Sequence, residues 1–246
     1  MYFAVAIGEG SGYNLMYEIA RRMTMVERYR NGEQVRGVLF DMDGIVLDTE
    51  KLYARFWREA AIHLGYPMTW EQALGMRSLS RVAGQAKLES YFGKGISIEE
   101  VRATRIELME RYIDEHGVDV KGGIYELLDY LDKQGIPRAI TTSSPLERVK
   151  KYLTPLGLLN RFDRICTGYD VAKGKPEPDI YLYGAACLGL EAENCLAIED
   201  SPAGVLSAYR AGCMTVMVPD MDQPDGETQN RLFAKADSLV DVMELL

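Results

Sequence analysis

Val38-Leu39-Phe40-Asp41-Met42-Asp43-Gly44 decides how this chain is read: an apolar run ends in two carboxylates spaced two residues apart, and Asp48-Thr49-Glu50 follows closely. The run predicts a buried strand, and the spacing sets Asp41 and Asp43 on one face if the strand continues. Asp41 then emerges at the strand's carboxyl end, where open α/β sheets bind their ligands. Two readings stand at this point. Asp-x-Asp-Gly is ordinary turn chemistry after a strand. It is equally a place for a divalent cation, because paired acids without a counter-charge shift their pKa values until one protonates.

Working outward, the segment from about 50 to 118 is helical in pattern, with helices expected at 50–64, 70–75, 78–91 and 98–115. Ser97 followed by Glu100 opens the last of these as a capping box. After Lys121-Gly122-Gly123 the pattern alternates. Helices at 124–134, 145–156, 178–188 and 202–211 separate strands at 137–142, 163–167, 195–199 and 214–218, with a last helix near 238–245. Short apolar strands divided by helices predict an α/β fold with a doubly wound parallel sheet. The helical segment is inserted after the first strand as a small bundle, placed to overhang the Asp41 site as a lid. The division expected is a core of 36–48 and 122–246, a helical cap of 49–121, and an extension of unassigned role at 1–35. Within that extension Leu15, Met16, Ile19, Met23 and Val26 trace one face of a helix over 13–29, and Gly8 to Gly12 is a flexible run rather than a dinucleotide fingerprint. It reads as an added helix or as the product of a start placed too early.

The chain has 246 residues, 47% of them hydrophobic and 26% charged, the balance of a soluble globular protein. A formal net charge of −9 argues against nucleic acid and against an anionic membrane surface, both of which need positive fields. Cys166, Cys187, Cys195 and Cys213 are widely spaced and read as free thiols. Neither a span of transmembrane length nor a secretory signal is recognised, so a cytoplasmic protein is the expectation.

Three more strand ends carry polar residues. Thr141-Thr142-Ser143-Ser144-Pro145 offers hydroxyls and backbone N–H groups for phosphate oxygens, or simply a helix cap. Lys173-Gly174-Lys175-Pro176-Glu177-Pro178 holds a lysine beside stiff prolines, or is a surface turn. Glu199-Asp200-Ser201-Pro202 repeats the paired acids, or caps the next helix. In a parallel sheet these ends share one edge, so Asp41, Asp43, Thr142, Lys175, Glu199 and Asp200 converge. Acids for a metal, a lysine and hydroxyls for phosphate oxygens, and a carboxylate nucleophile together specify phosphoryl transfer.

Taken in order, Asp41-Met42-Asp43-Gly44, Thr142, Lys175 with Pro176, and Glu199-Asp200 resemble the four motifs of the haloacid dehalogenase superfamily, in the branch of β-phosphoglucomutase and related sugar-phosphate phosphatases. The likeness spans about residues 36–219, and the inserted bundle is similar to that branch's helical cap. The resemblance implies a Mg2+-dependent phosphatase acting on a small phosphorylated metabolite. Asp41 is then the nucleophile, Asp43 the general acid and base, and Lys175 and Thr142 the groups that steady the phosphoryl oxygens. Asp41, Asp43 through its backbone carbonyl, Asp200 and, as a further ligand, Glu199 hold the metal. Gly44, Thr49 and Glu50, then Ser143 and Ser144, are the expected substrate contacts near the core. Arg77 and Arg81 are the candidates in the cap, although arginine on a helical cap is also an ordinary solvated residue. Tyr53, Phe56 and Trp57 read as bundle core or as a sugar platform.

A mutase shares these residues and differs in its phosphoryl acceptor. Mutase relatives carry a histidine four positions after the threonine matched by Thr49, where this chain has Tyr53, and their cap arginine has no clear match. A phosphatase is therefore favoured, with a mutase as the alternative and a non-catalytic phosphate-binding protein as a third reading. Relatives that dehalogenate lack the second acid, which Asp43 supplies here. The oligomeric state is left open, with a monomer slightly favoured.

Overall fold

The computed structural model describes residues 35–77, 79 and 81–246. The expected helix at 13–29, nearly all of the 1–35 extension, and Ser78 at the start of the expected 78–91 helix lie outside the described residues. Six strands form one parallel sheet: β1 (Gly37–Phe40), β2 (Arg138–Thr142), β3 (Arg164–Thr167), β4 (Cys195–Glu199), β5 (Met214–Met217) and β6 (Ala234–Lys235), in the order β3-β2-β1-β4-β5-β6. The order reverses between β1 and β4, so a crevice opens beyond their carboxyl ends.

Alternation along β1 divides the core. Val38 and Phe40 face a layer built from α5 (Ile124–Gln134) and α6 (Leu146–Leu153), with Leu127, Leu128, Leu131, Val149 and Leu153 packed beneath the sheet. Leu39 faces the other way, against Ile180, Tyr181 and Ala185 of α7 (Asp179–Cys187) and Ala208 and Ala211 of α8 (Pro202–Ala211). That second layer is thin, because alanine dominates it and lets α7 and α8 approach closely.

Four helices stand between β1 and α5: α1 (Glu50–His63), α2 (Trp70–Leu74), α3 (Arg81–Phe92) and α4 (Ile98–His116). They share a separate apolar cluster of Trp57, Ala60, Ala61, Met68, Met76, Leu88, Ile98 and Val101. The insertion is tied to α6 by charge: Glu110 of α4 accepts hydrogen bonds from Arg148, Lys151 and Tyr152 at 3.1, 2.6 and 2.7 Å.

Several boundaries differ from expectation. Ser97 accepts from the Glu100 amide as foreseen, whereas the full reciprocal capping box sits at Thr69 and Gln72, which periodicity did not flag. The helix expected at 145–156 stops at Leu153, two residues short of Pro155, whose ring and missing N–H oppose helix continuation. The expected last helix is a 3-10 turn over Asp241–Leu245. The short helix α9 (Gly226–Arg231) and the two-residue strand β6 were not anticipated, since α9 carries no apolar side chain to show a period and β6 is too short to show one. Among the described residues, no helix is long and apolar enough to cross a membrane.

Candidate active site

β1 and β4 end side by side, and their acids meet there. Asp41 follows β1, Glu199 is the last residue of β4, and Asp200 comes next. One carboxylate oxygen from each lies within 4.8 Å of the others, and all three residues are buried. Lys175 reaches into this group from the turn after β3 and donates to Asp41 Oδ1 and Glu199 Oε1, both at 2.6 Å. Its side chain is 10% exposed, those of Asp41 and Glu199 12% and 0%, so the ion pairs are poorly screened. Lys173, two residues earlier, is exposed and is the solvated lysine of the pair. Tyr181 donates its hydroxyl to Glu199 Oε1, and Lys175 Nζ lies 5.1 Å from the centroid of that ring.

One ammonium does not balance three carboxylates. Burial pushes the Asp41 carboxyl up to about 8, with Glu199 and Asp43 adding to the rise and Lys175 opposing it. Burial likewise holds Asp200 well above the ordinary carboxylate range, reinforced by Glu199 and Asp41. Such a group fits a hard divalent cation, which would supply the missing positive charge to oxygen ligands. Glu199 is the least available of the three, because Lys175 and Tyr181 already take Oε1 and Ser201 bonds Oε2 at 3.3 Å.

Two glycines make the acids' close approach feasible. Gly44 has φ +82°, and a Cβ there would stand 2.2 Å from Asp200 Oδ2. A Cβ on Gly204, in the first turn of α8, would stand 1.9 Å from the Glu199 carboxyl carbon. Gly44 thus makes room for Asp200 and does not line the cavity described below, where a substrate contact was expected.

Asp43 is held differently. Oδ1 accepts from the Thr49 hydroxyl at 2.7 Å and the Tyr53 hydroxyl at 3.3 Å, and Oδ2 accepts from Ser144 at 3.1 Å. Thr49 stands at the N-cap of α1 yet makes no side-chain capping bond, because its hydroxyl serves Asp43 instead. Thr142 is buried, and its hydroxyl accepts the Ser144 amide at 3.0 Å, which shapes the turn that presents Ser143 to the cavity.

A cavity of about 380 Å3 opens over these groups. Its floor is Asp41, Asp43, Ser143, Ser144, Lys175 and Asp200, and its roof comes from the insertion through Glu50, Tyr53, Trp57, Met76 and Arg77. Tyr53 and Trp57 therefore face the cavity, whereas Phe56 belongs to the core. Arg77 reaches the wall already neutralised, paired with Glu50 at 3.4 Å and with Asp222 at 2.7 Å. Burial and the Asp43 charge push Glu50 up to about 7 against the pull of Arg77. Arg81 is exposed and lies outside the lining, so this candidate is not brought to the site. The lining also includes Arg102 and Arg105 of α4 and Arg148 of α6, none of which was picked out from sequence. The three-residue spacing of Arg102 and Arg105 on one helix was the one available signal, and it does not say which face turns inward.

Comparison with known proteins agrees with this architecture. Residues 35–212 match the sequence model of the haloacid dehalogenase-like hydrolases. Hexitol phosphatase A of Escherichia coli (strain K12) is 36% identical over 189 residues, covering 74% of this chain and 82% of that protein. β-Phosphoglucomutase of Bacillus subtilis (strain 168) is 31% identical over 194 residues, covering 75% and 83%. Among solved structures, a hydrolase from Pseudomonas syringae superposes with a TM-score of 0.71 at 25% identity, covering 85% of this chain and 96% of that one.

Two outcomes are expected from the geometry. Burial raises the Asp41 carboxyl to about 8, so a divalent cation that binds the carboxylates is expected to displace protons below that pH. Calorimetric titration at pH 6.5 in buffers of different ionisation enthalpy is expected to show net proton release that shrinks as pH passes 8; buffer-independent heats would contradict the assignment. Gly204→Ala gains about 1 kcal/mol of helix propensity but forces Glu199 from Lys175 and Tyr181. A net destabilisation of about 1–3 kcal/mol is expected in urea unfolding, with weakened cation binding.

Proposed function

This chain belongs to the haloacid dehalogenase-like hydrolase family, and on that premise we propose that it is a magnesium-dependent phosphatase of a small phosphomonoester, a sugar phosphate, working through an aspartyl-phosphate on Asp41. The observation that carries this reading is the pairing of two acids in opposite circumstances within one cavity. Asp41 is ion-paired to Lys175, as a nucleophile needs, and Asp43 is held by three hydroxyls and forms no ion pair among the described residues, as suits a proton carrier.

In the first half-reaction an Asp41 oxygen forms a bond to phosphorus as the ester P–O bond breaks, and Asp43 protonates the departing oxygen. In the second, Asp43 takes a proton from water, the water oxygen bonds phosphorus, and the bond to Asp41 breaks to release inorganic phosphate. Repulsion between a carboxylate and a phosphate dianion at a few ångströms is on the order of several kcal/mol in such a site. Lys175 offsets part of it and fixes the orientation of Asp41. Asp41, the Asp43 carbonyl and Asp200, with Glu199 as a further ligand, would hold magnesium, whose contribution is to neutralise charge on nucleophile and phosphoryl group. The Ser143 turn, shaped by Thr142, would hold phosphoryl oxygens.

Residues 49–121 are assigned as the cap, hinged at Thr49–Glu50 and at Gly122–Gly123. Gly123 has φ +88° at the start of α5, a conformation glycine adopts at least cost. The free state of all four cysteines accords with action in the cytoplasm. Hydrolysis is favoured over mutase chemistry because Tyr53, not histidine, reaches Asp43. The 36% identity to a phosphatase points the same way, though the β-phosphoglucomutase relative at 31% keeps the alternative in view.

The test is phosphate release from hexitol phosphates, sugar phosphates and β-glucose 1-phosphate, with and without magnesium, coupled to a glucose 6-phosphate assay. Magnesium-dependent release that Asp41→Asn lowers by about 10⁴-fold or more is expected. Isomerisation without net release would establish a mutase instead, and full activity of Asp41→Asn would overturn the nucleophile.

A further inference from the structure

Lys175 supplies the ammonium that meets the buried carboxylates, yet it hangs from a stretch with little structure of its own. Residues 168–178 run from β3 to α7 without a helix or strand, and Ala172, Lys173, Gly174 and Pro176 are exposed. Inside the turn one backbone bond closes, from the Glu177 amide to the Gly174 carbonyl at 3.0 Å. Pro176 and Pro178 bring no N–H, so carbonyls are what the rest of the protein can grip there. Among the described residues, the hydrogen bonds that reach the backbone of 173–177 from elsewhere in the chain come from α8. The Ser207 hydroxyl donates to the Glu177 carbonyl at 2.5 Å. Arg210 Nη1 donates to the Pro176 carbonyl at 3.2 Å and to Glu177 Oε1 at 3.1 Å.

Ser207 is fully buried. A serine within a helix can turn its hydroxyl back on the carbonyl of the preceding turn, and this one reaches outward to Glu177 instead. Gly204, Ser207 and Arg210 recur every three residues and so lie along one face of α8. That face admits the Glu199 carboxylate at Gly204 and grips the Lys175 turn at Ser207 and Arg210. One helix therefore sets the distance between the anchor of the lysine and a carboxylate that the lysine bonds. Such a constraint matters because the lysine stem is long and flexible, and its ammonium must meet Asp41 and Glu199 at 2.6 Å each. The ion pair between Arg210 and Glu177 is exposed on both sides and weak, so the buried hydroxyl bears most of the constraint.

We propose that Ser207, supported by Arg210, is a positioning residue for Lys175: by fixing the 173–177 turn against α8 it holds the ammonium between Asp41 and Glu199. Neither residue lines the cavity, so both act through the turn and not on the substrate. The proposal rests on Lys175 serving phosphoryl transfer at this site, where a small displacement of a charged group lowers the rate of the chemical step more than it weakens binding.

The test labels lysines of the magnesium-loaded protein with trinitrobenzenesulfonate and reads Lys175 by peptide mass spectrometry against exposed Lys173 in the same turn. S207A and S207C, the second of which fills the space with a poor donor, are each expected to speed Lys175 labelling about 10-fold relative to Lys173. With p-nitrophenyl phosphate both should lower kcat about 10-fold and leave KM within about twofold, the split of a group that acts in the transition state. R210Q should move both readouts the same way by about two- to threefold, and it carries the test alone if the variants at 207 do not fold. Native labelling and native kcat in the variants that fold overturn the proposal. So does a lowered Tm with labelling and kcat unmoved, which would make Ser207 a packing residue only. A native protein that releases no phosphate from any ester overturns the phosphatase reading instead, and the labelling ratio still decides whether Ser207 positions Lys175.

Discussion

Three carboxylates crowd around one ammonium at the dry end of β1 and β4, and the surrounding structure serves to keep them there. Left alone, Asp41, Glu199 and Asp200 would repel one another or take up protons, which is the direction burial drives Asp41 and Asp200. Lys175 can answer only part of that charge. The remainder is the physical reason to expect a cation at the site. The parallel sheet sets the geometry, because its order places β1 beside β4 and brings to one edge residues separated by about 160 positions in sequence. Glycine at 44 and 204 then admits the carboxylates to spaces that any Cβ would close.

Asp43 lies only two residues from Asp41 yet meets a different environment. Its partners are hydroxyls from three separate places: the N-cap of α1, the body of α1, and the turn after β2. Neutral donors hold a carboxylate without pinning it as firmly as an ion pair does. Thr49 gives up its capping role to make this possible. The N-terminus of α1 therefore depends on the site as much as the site depends on it.

Among the described residues, the insertion meets the core through ion pairs and through an apolar seam, since Phe56, Met109 and Ile113 belong to the cluster beneath the sheet. Arg77 links Glu50 to Asp222 on one side of the cavity, and Glu110 gathers Arg148, Lys151 and Tyr152 on the other. The apolar interior of the insertion, around Trp57, Met68 and Leu88, forms a cluster separate from that of the sheet.

Most motif residues were legible because they sit at or just past the point where a strand's apolar run breaks, and Lys175, eight residues beyond β3, because Pro176 and Pro178 stiffen its turn. Six polar positions, Asp41, Asp43, Thr142, Lys175, Glu199 and Asp200, were found that way, as was the helical insertion after the first strand. α9, whose six residues include no apolar side chain, and the two-residue β6 left no such trace. Nor did the cavity roof, since the inward face of a helix is set by how it crosses its neighbours. Arg77 was legible as a candidate but not its engagement by Glu50 and Asp222, and Arg102 and Arg105 were not legible at all. The amino-acid order by itself determined the α/β class and the chemistry at the strand ends, because both follow from local apolar periodicity. Only the tertiary structure decided which charges were neutralised and which were left facing the cavity, because pairing depends on distances between residues far apart in the chain.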